Sequence, residues 1–285
     1  MQAPELKKLL PHRQRMLLLR EVLCVDESQV AAKALVAPDW PCAWAGFAPP
    51  ALLLEILAQT VAVYYGAKRR RLGGRALGFL VGVKEAVLNT TALPLGAAIT
   101  ARAVPISLVN NYGVFQGSFG DGDREMGRAV LQVLEQELDE DGFQMPEAAR
   151  DYAFRDPVGG EFLDRVGGFL RPDGQEGIDG LSAEVWFPET SPWFSGHFPQ
   201  APILPGVAML NLVCHLASQL LGLPGDGALE THFKRVKFTR LNPPGAPLAV
   251  SLVVKNASSP HSLQFALTGP EGPVCKGYLC FLPPK

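Results

Sequence analysis

Apolar positions along this chain form many short alternating runs and two longer, denser ones, one in each half. In the first half, residues 16–26 and 30–37 are rich in Leu and Val and predict strands. A helix is predicted over 50–71, with Pro50 near its start, where a missing N–H costs nothing, and Gly73-Gly74 to close it. Segments 77–88, 98–108, 112–119 and 124–137 then read as strands separated by turn residues. The second half repeats the plan: strands at 162–170 and 181–187, then a helix over 207–221 stopped by Gly222 and Pro224. Strands at 229–241, 248–254, 262–268 and 274–282 complete it.

The repetition extends to single residues. Pro50 and Gly206 are 156 positions apart, as are Glu55 and Asn211. Val83-Lys84 with Leu88-Asn89 is echoed by Val236-Lys237 with Leu241-Asn242, now offset by 153. We therefore expect an α+β chain of two like domains, 1–138 and 158–285, each a sheet wrapped around one long helix. Residues 139–157, which hold Gly142 and Pro146, suit a linker with helical character at 146–152. An open sheet edge in each copy can pair with the other, which would hide both edges in one continuous sheet.

Composition narrows the function. With 285 residues, 47% hydrophobic, 19% charged and a net charge of −2, the chain has the make-up of a soluble globular protein rather than a basic nucleic-acid binder. The five cysteines are odd in number and include no Cys-x-x-Cys; Cys24, Cys214 and Cys280 sit in apolar runs and read as core residues. A reduced, cytoplasmic setting fits. Residues 1–10 lack the pattern of a signal peptide. The longest apolar stretch, 47–67, carries Glu55 and Gln59, so it reads as a buried helix and not a membrane span.

Two motifs carry chemistry, and each lacks what the other has. Gly196-His197-Phe198-Pro199 continues through Pro202 to Pro205-Gly206-Val207 and into a helix whose fifth residue past Gly206 is Asn211, where an acid is expected. Pro49-Pro50 through Leu54-Glu55-Ile56-Leu57-Ala58-Gln59 has the same layout with the acid present, but no histidine lies between His12 and His197. Two half-sites on one chain imply one composite site. An imidazole titrates near neutral pH and suits a base. Glu55, desolvated by its leucine neighbours, suits an acid that keeps or shares a proton. A helix start at Gly206 and Val207 offers backbone N–H groups to an anion.

These residues resemble a known family. Leu10-Pro11-His12-Arg13, the Gly-His-Phe-Pro string and Leu-Glu-x-Leu-Ala-Gln are similar to the motifs of the 3-hydroxyacyl-ACP dehydratases, which have the hotdog fold. The division of the motifs also resembles the paired dehydratase subunits of aryl-polyene pathways, here fused. The resemblance implies tandem hotdogs forming an intramolecular pseudo-dimer. His197 would be its histidine, Glu55 its acid, and Gly206 the glycine whose N–H faces the thioester carbonyl. Phe198, Pro199, Pro205, Gln59 and Trp193 would border the substrate, and Asn211 with Pro41 would mark a degenerate second site.

It also implies fatty-acid, polyketide or aryl-polyene biosynthesis, no metal or resident cofactor, and a phosphopantetheine arm delivered by an acyl carrier protein. Lys68–Arg71 and the group Lys234, Arg235, Lys237 and Arg240 are the two candidate basic docking surfaces. A hotdog thioesterase and a non-catalytic acyl-chain carrier or scaffold remain as alternatives. Chain length, carrier protein against coenzyme A, and further oligomerisation stay open. On sequence grounds His12 reads as a loop fastener and His215 as a core histidine.

Overall fold

The chain's long first helix is apolar on every side, and the rest of the fold is arranged to bury it. In the computed structural model, which describes residues 3–71, 76–122, 124–137, 169–177, 180–223 and 229–283, this helix is α2 (Leu52–Arg71). Leu52, Leu53, Leu54, Ile56, Leu57, Val61 and Val63 are all fully buried. Each such side chain contributes roughly 1.5–3 kcal/mol when it leaves water. The cover is an antiparallel sheet of β1 (Leu19–Val25), β2 (Val30–Leu35), β4 (Ala76–Leu88), β6 (Ala98–Val109), β7 (Tyr112–Asp121) and β8 (Arg124–Glu137). A two-stranded ribbon, β3 (Phe47–Ala48) with β5 (Leu93–Pro94), and a short N-terminal helix α1 (Ala3–Leu9) complete the front half; the hydropathy pattern predicted neither.

The rear half wraps α3 (Gly206–Leu220) in β9 (Phe169–Gly177), β10 (Gly180–Trp186), β11 (Glu230–Phe238), β12 (Leu248–Asn256), β13 (His261–Gly269) and β14 (Gly272–Leu282). Each half is a hotdog, and the two share one sheet. Its order is β1-β2-β6-β7-β8-β4-β11-β14-β13-β12-β10-β9. Read from the centre outwards, the halves are the same sequence of strands twice, as the internal repeat requires.

The seam is the antiparallel pair β4–β11, where Val83 lies opposite Val236 and Glu85 opposite Lys234. The echoed Val-Lys dipeptides thus meet across the pseudo-twofold axis. Both central edges are satisfied by this pairing, as expected of fused copies. Helices α2 and α3 touch on the inner face of the sheet.

The expected linker at 139–157, the helix closure at Gly73-Gly74 and most of the strand expected at 162–170 lie outside the described residues. Cys275, rather than Cys24 or Cys280, is the fully buried cysteine. Among the described residues, no helix is long and apolar enough to cross a membrane.

Candidate active site

Glu55 enters the site from the first turn of α2, where the helix N-terminus favours a negative charge. Gln59, one turn on and fully buried, fixes it in place. The Gln59 amide donates to Glu55 Oε1 at 2.9 Å and to the Met16 carbonyl at 2.7 Å, while its oxygen accepts from the Leu18 N–H at 3.1 Å. One amide thereby ties the acid to the loop leading into β1. Gln59 is a support of the acid, a more definite role than bordering the substrate.

His197 comes from the other half, in the loop ahead of α3. Its Nδ1 lies 2.7 Å from the Ile203 carbonyl, which can only accept, so Nδ1 carries the proton and Nε2 of the neutral ring is left with its lone pair. Burial, reinforced by the nearby His12, pushes the imidazole down to about 4, against a smaller upward pull from Glu55 and the Ile203 carbonyl. His197 is therefore a neutral imidazole at physiological pH. Phe198 stands edge-on to it, with ring centroids 4.7 Å apart, and stacks on Phe79 of β4 at 5.4 Å. Its backbone φ of +57° is uncommon for a bulky residue and marks a loop held in shape by its surroundings.

The surroundings in question are the N-terminal loop of the front half. The Arg13 N–H donates to the Gly196 carbonyl at 2.8 Å and the Met16 N–H to the Ser195 carbonyl at 3.2 Å. Gly196 has φ +92°, and any Cβ there would run into the Arg13 carbonyl, so glycine is required by both conformation and space. This docking brings in a residue that sequence reasoning set aside. His12, buried at 6% exposure, places Nε2 3.2 Å from Glu55 Oε1, and its ring lies 5.3 Å from that of His197. His12 thus fastens its loop to α2, and the residue it fastens to is Glu55, with His197 alongside. The Leu-Pro-His-Arg string was the available signal, but only the fold shows what it touches.

Glu55 stands under opposing influences. Burial pushes its carboxyl up, but the bond and charge of His12, the nearby His197 and the Gln59 amide outweigh that and hold it below the ordinary carboxylate range. One donor atom from each of His12, Glu55 and His197 falls within 4.8 Å of the others, a spacing within reach of a cation. Two of these donors already bond to each other, however, and a metal would have to break the His12–Glu55 contact.

Gly206 begins α3 behind Pro205; the Ala208 N–H donates to the Pro205 carbonyl at 3.0 Å, and the N–H groups of Gly206 and Val207 have no acceptor within the helix. A side chain at Gly206 would press on the Phe238 ring at 2.8 Å, so the helix start is open only because glycine stands there. Val207 and Pro205 are buried, and Pro199 is exposed. Leu77, Phe198 and Ile203 form a small apolar cluster with Phe79, drawn from both halves and distinct from the main core. Trp193 is fully buried in that main core, a packing position. Asn211 is buried on α3, and Pro41 is buried in the front-half loop that corresponds to the His197 loop. A cleft of about 450 Å³ bounded by Asp26, Tyr64, Lys68 and Leu108 includes none of the reactive groups.

Comparison with known proteins follows the same division. Residues 4–144 match the family of ApeP-like dehydratases, and residues 174–278 match that of ApeI-like dehydratases. The 3-hydroxyacyl-[acyl-carrier-protein] dehydratase FabZ of Chlamydia abortus is 39% identical over 66 residues, 21% of this chain and 43% of the relative. That of Chlamydia caviae is 38% identical over the same shares. The chain spans less than half the length of these curated relatives.

Among solved structures, a fusion DH domain superposes over 99% of this chain and 97% of its own, with TM-score 0.52 and 16% identity. A protein assigned as an oleoyl thioesterase from Lactobacillus plantarum does so over 91% and 97%, with TM-score 0.56 and 10% identity. At such identities these two likenesses establish the double-hotdog fold alone.

Proposed function

Because the chain joins an ApeP-like to an ApeI-like dehydratase domain in one double hotdog resembling the 3-hydroxyacyl-ACP dehydratases, we propose that it removes water from a 3-hydroxyacyl thioester to give the trans-2-enoyl thioester. One composite site would do this, in fatty-acid, polyketide or aryl-polyene biosynthesis. The observation that carries this reading is the approach of His197 and Glu55, from different halves, to within 4.8 Å.

In this reading, His197 Nε2 takes the proton beside the carbonyl, and the electron pair of that C–H bond becomes the new double bond. The C–O bond breaks towards the hydroxyl, which receives a proton through Glu55 and leaves as water. The first-turn N–H groups at Gly206 and Val207 face the charge that grows on the carbonyl oxygen. Donors of this kind contribute about 3 kcal/mol each. The acyl chain lies against Leu77, Phe79, Phe198 and Ile203.

The substrate arrives on the phosphopantetheine arm of an acyl carrier protein, and one basic surface suits its acidic partner better than the other. Lys68–Arg71 ends α2, about 20 Å along the helix from Glu55 at 1.5 Å per residue. Within it, Arg69 is committed to Glu135 at 2.6 Å and Arg70 to Glu5 at 3.2 Å. Lys234, Arg235 and Lys237 are exposed on β11, whose last residue, Phe238, packs on Gly206 at the site; Arg240, which follows, is paired with Glu271 at 3.6 Å. The β11 group is the docking surface.

Incubating the protein with 3-hydroxyacyl carrier-protein substrates and following the bound chain by mass tests the proposal. Dehydration predicts loss of one water with the thioester intact. Release of the free acid would mean a thioesterase instead, and an unaltered chain would mean a binding protein.

A further inference from the structure

Building on the dehydration reading, we propose that His12 is a positioning residue that holds the proton Glu55 delivers, so that the acid of this site is a His12–Glu55 pair sharing one proton and not a lone carboxyl. The pair is buried and in contact, Nε2 to Oε1 at 3.2 Å. The other group bonded to Glu55, the Gln59 amide, donates a hydrogen bond but has no proton to give, whereas the His12 ring has. An imidazole is the one neutral side chain that can store that proton near physiological pH. Arg13 or Gln59 could only orient the acid.

The second ring nitrogen makes the stored proton transferable. Nδ1 of His12 is buried and has no hydrogen-bond partner among the described residues. An N–H at that position would have no acceptor, so the nitrogen that faces Glu55 is the one through which a proton is exchanged. The proton is thus held in the bond between the two side chains, free to pass to the carboxyl. The other titratable group packed on His12 is His197, from the loop before α3. The guanidinium of Arg13 donates to the carbonyls of Lys7, Leu10 and His12, and the Phe198 ring lies 5.8 Å from that of His12.

The proton inventory closes over one turnover. The pair gives one proton to the departing hydroxyl, and His197 gains one from the carbon. The site is then left with the same number of protons, displaced from the pair to His197. With the two imidazole rings 5.3 Å apart, transfer back to the pair resets the site without net exchange.

His12→Gln separates proton storage from orientation, since its amide can still donate to Glu55 but cannot carry a proton. The expected result is a folded protein whose KM stays within a few-fold and whose kcat falls about 100-fold, the scale of a lost acid–base function. The basic limb of its kcat–pH profile should also move, because the proton is then lost from Glu55 alone and not from the pair. A His12→Gln enzyme with near-parental kcat and an unmoved basic limb would overturn the proposal. Should that variant fail to fold, side-chain ¹⁵N NMR of the intact protein decides. The proposal expects the His12 ring to share or hold a second proton across the active pH range, and a ring neutral throughout would refute it. Glu55→Gln, assayed alongside, keeps the two readings apart. If it retains activity, the composite site and this proposal fall together; if it is inactive while His12→Gln is normal, only the proton-holding role falls.

Discussion

Gln59 is the residue on which the geometry of the acid depends most. Three hydrogen bonds from one buried amide hold the Met16–Leu18 loop and Glu55 together. Gln59→Leu keeps the bulk but strands the Leu18 N–H and the Met16 carbonyl, at about 1–3 kcal/mol for each buried group left unpaired. A clear fall in the urea midpoint is expected, and an unchanged midpoint would contradict the role. His197 makes a second prediction, in pH. Its folded value of about 4 lies below the ordinary 6.5. Between these values the unfolded chain binds the extra proton and the folded chain does not, so stability must fall as pH drops through that window. Glu55, also lowered, acts in the same direction at more acid pH. Unfolding measured from pH 7 down to pH 4 should show the loss, and His197→Gln should flatten it; a flat parental profile would contradict the neutral buried imidazole.

Single residues also show where sequence reading stops. Glu55 and His197 were legible because each lies in a local string with its prolines and glycines at fixed spacing. His12 was not, because its neighbours are reached only when the N-terminal loop docks on Ser195 and Gly196 of the other half. The surroundings of Glu55 were half legible for the same reason: burial is visible in the surrounding leucines, whereas the imidazole bonded to the carboxyl is not.

At the scale of elements, periodicity located nearly every strand and both long helices, with ends displaced by up to three residues, except that the strand expected at 162–170 overlaps β9 only at Phe169 and Leu170. The helix expected from Pro50 begins at Leu52, and that expected from Val207 begins at Gly206. It could not supply α1, only seven residues long, or the two-residue ribbon β3–β5, which are too short for a hydropathy period. Element positions also separate the two basic surfaces, which are equivalent as sequence. Lys237→Glu or Arg240→Glu should raise KM for a carrier-bound substrate about tenfold at low salt and leave a small pantetheine thioester unaffected, since steering by surface charge is screened by ions. Lys68→Glu should change neither. The opposite pattern would move the docking surface to the far end of α2.

The whole molecule is two copies of one plan, and in the proposed reaction they divide the work between them. Fusion makes the pairing of β4 with β11 intramolecular, and each half has kept what the other lacks: the acid at Glu55 against Asn211, the imidazole at His197 against Pro41. Asn211→Ala should accordingly leave the dehydration rate within a few-fold, whereas a large loss would mean that the second pocket works too. The central claim is that one carboxylate and one imidazole of the same chain serve one thioester. The most direct measurement is the rate of water loss for Glu55→Gln, for His197→Ala, and for the two variant chains co-expressed and purified together. Each variant alone should lose more than about 100-fold, as removal of an acid or base requires, and the mixture should be no better, because neither chain holds a complete site. Parental activity in either single variant, or activity restored by mixing, would contradict a site built within one chain.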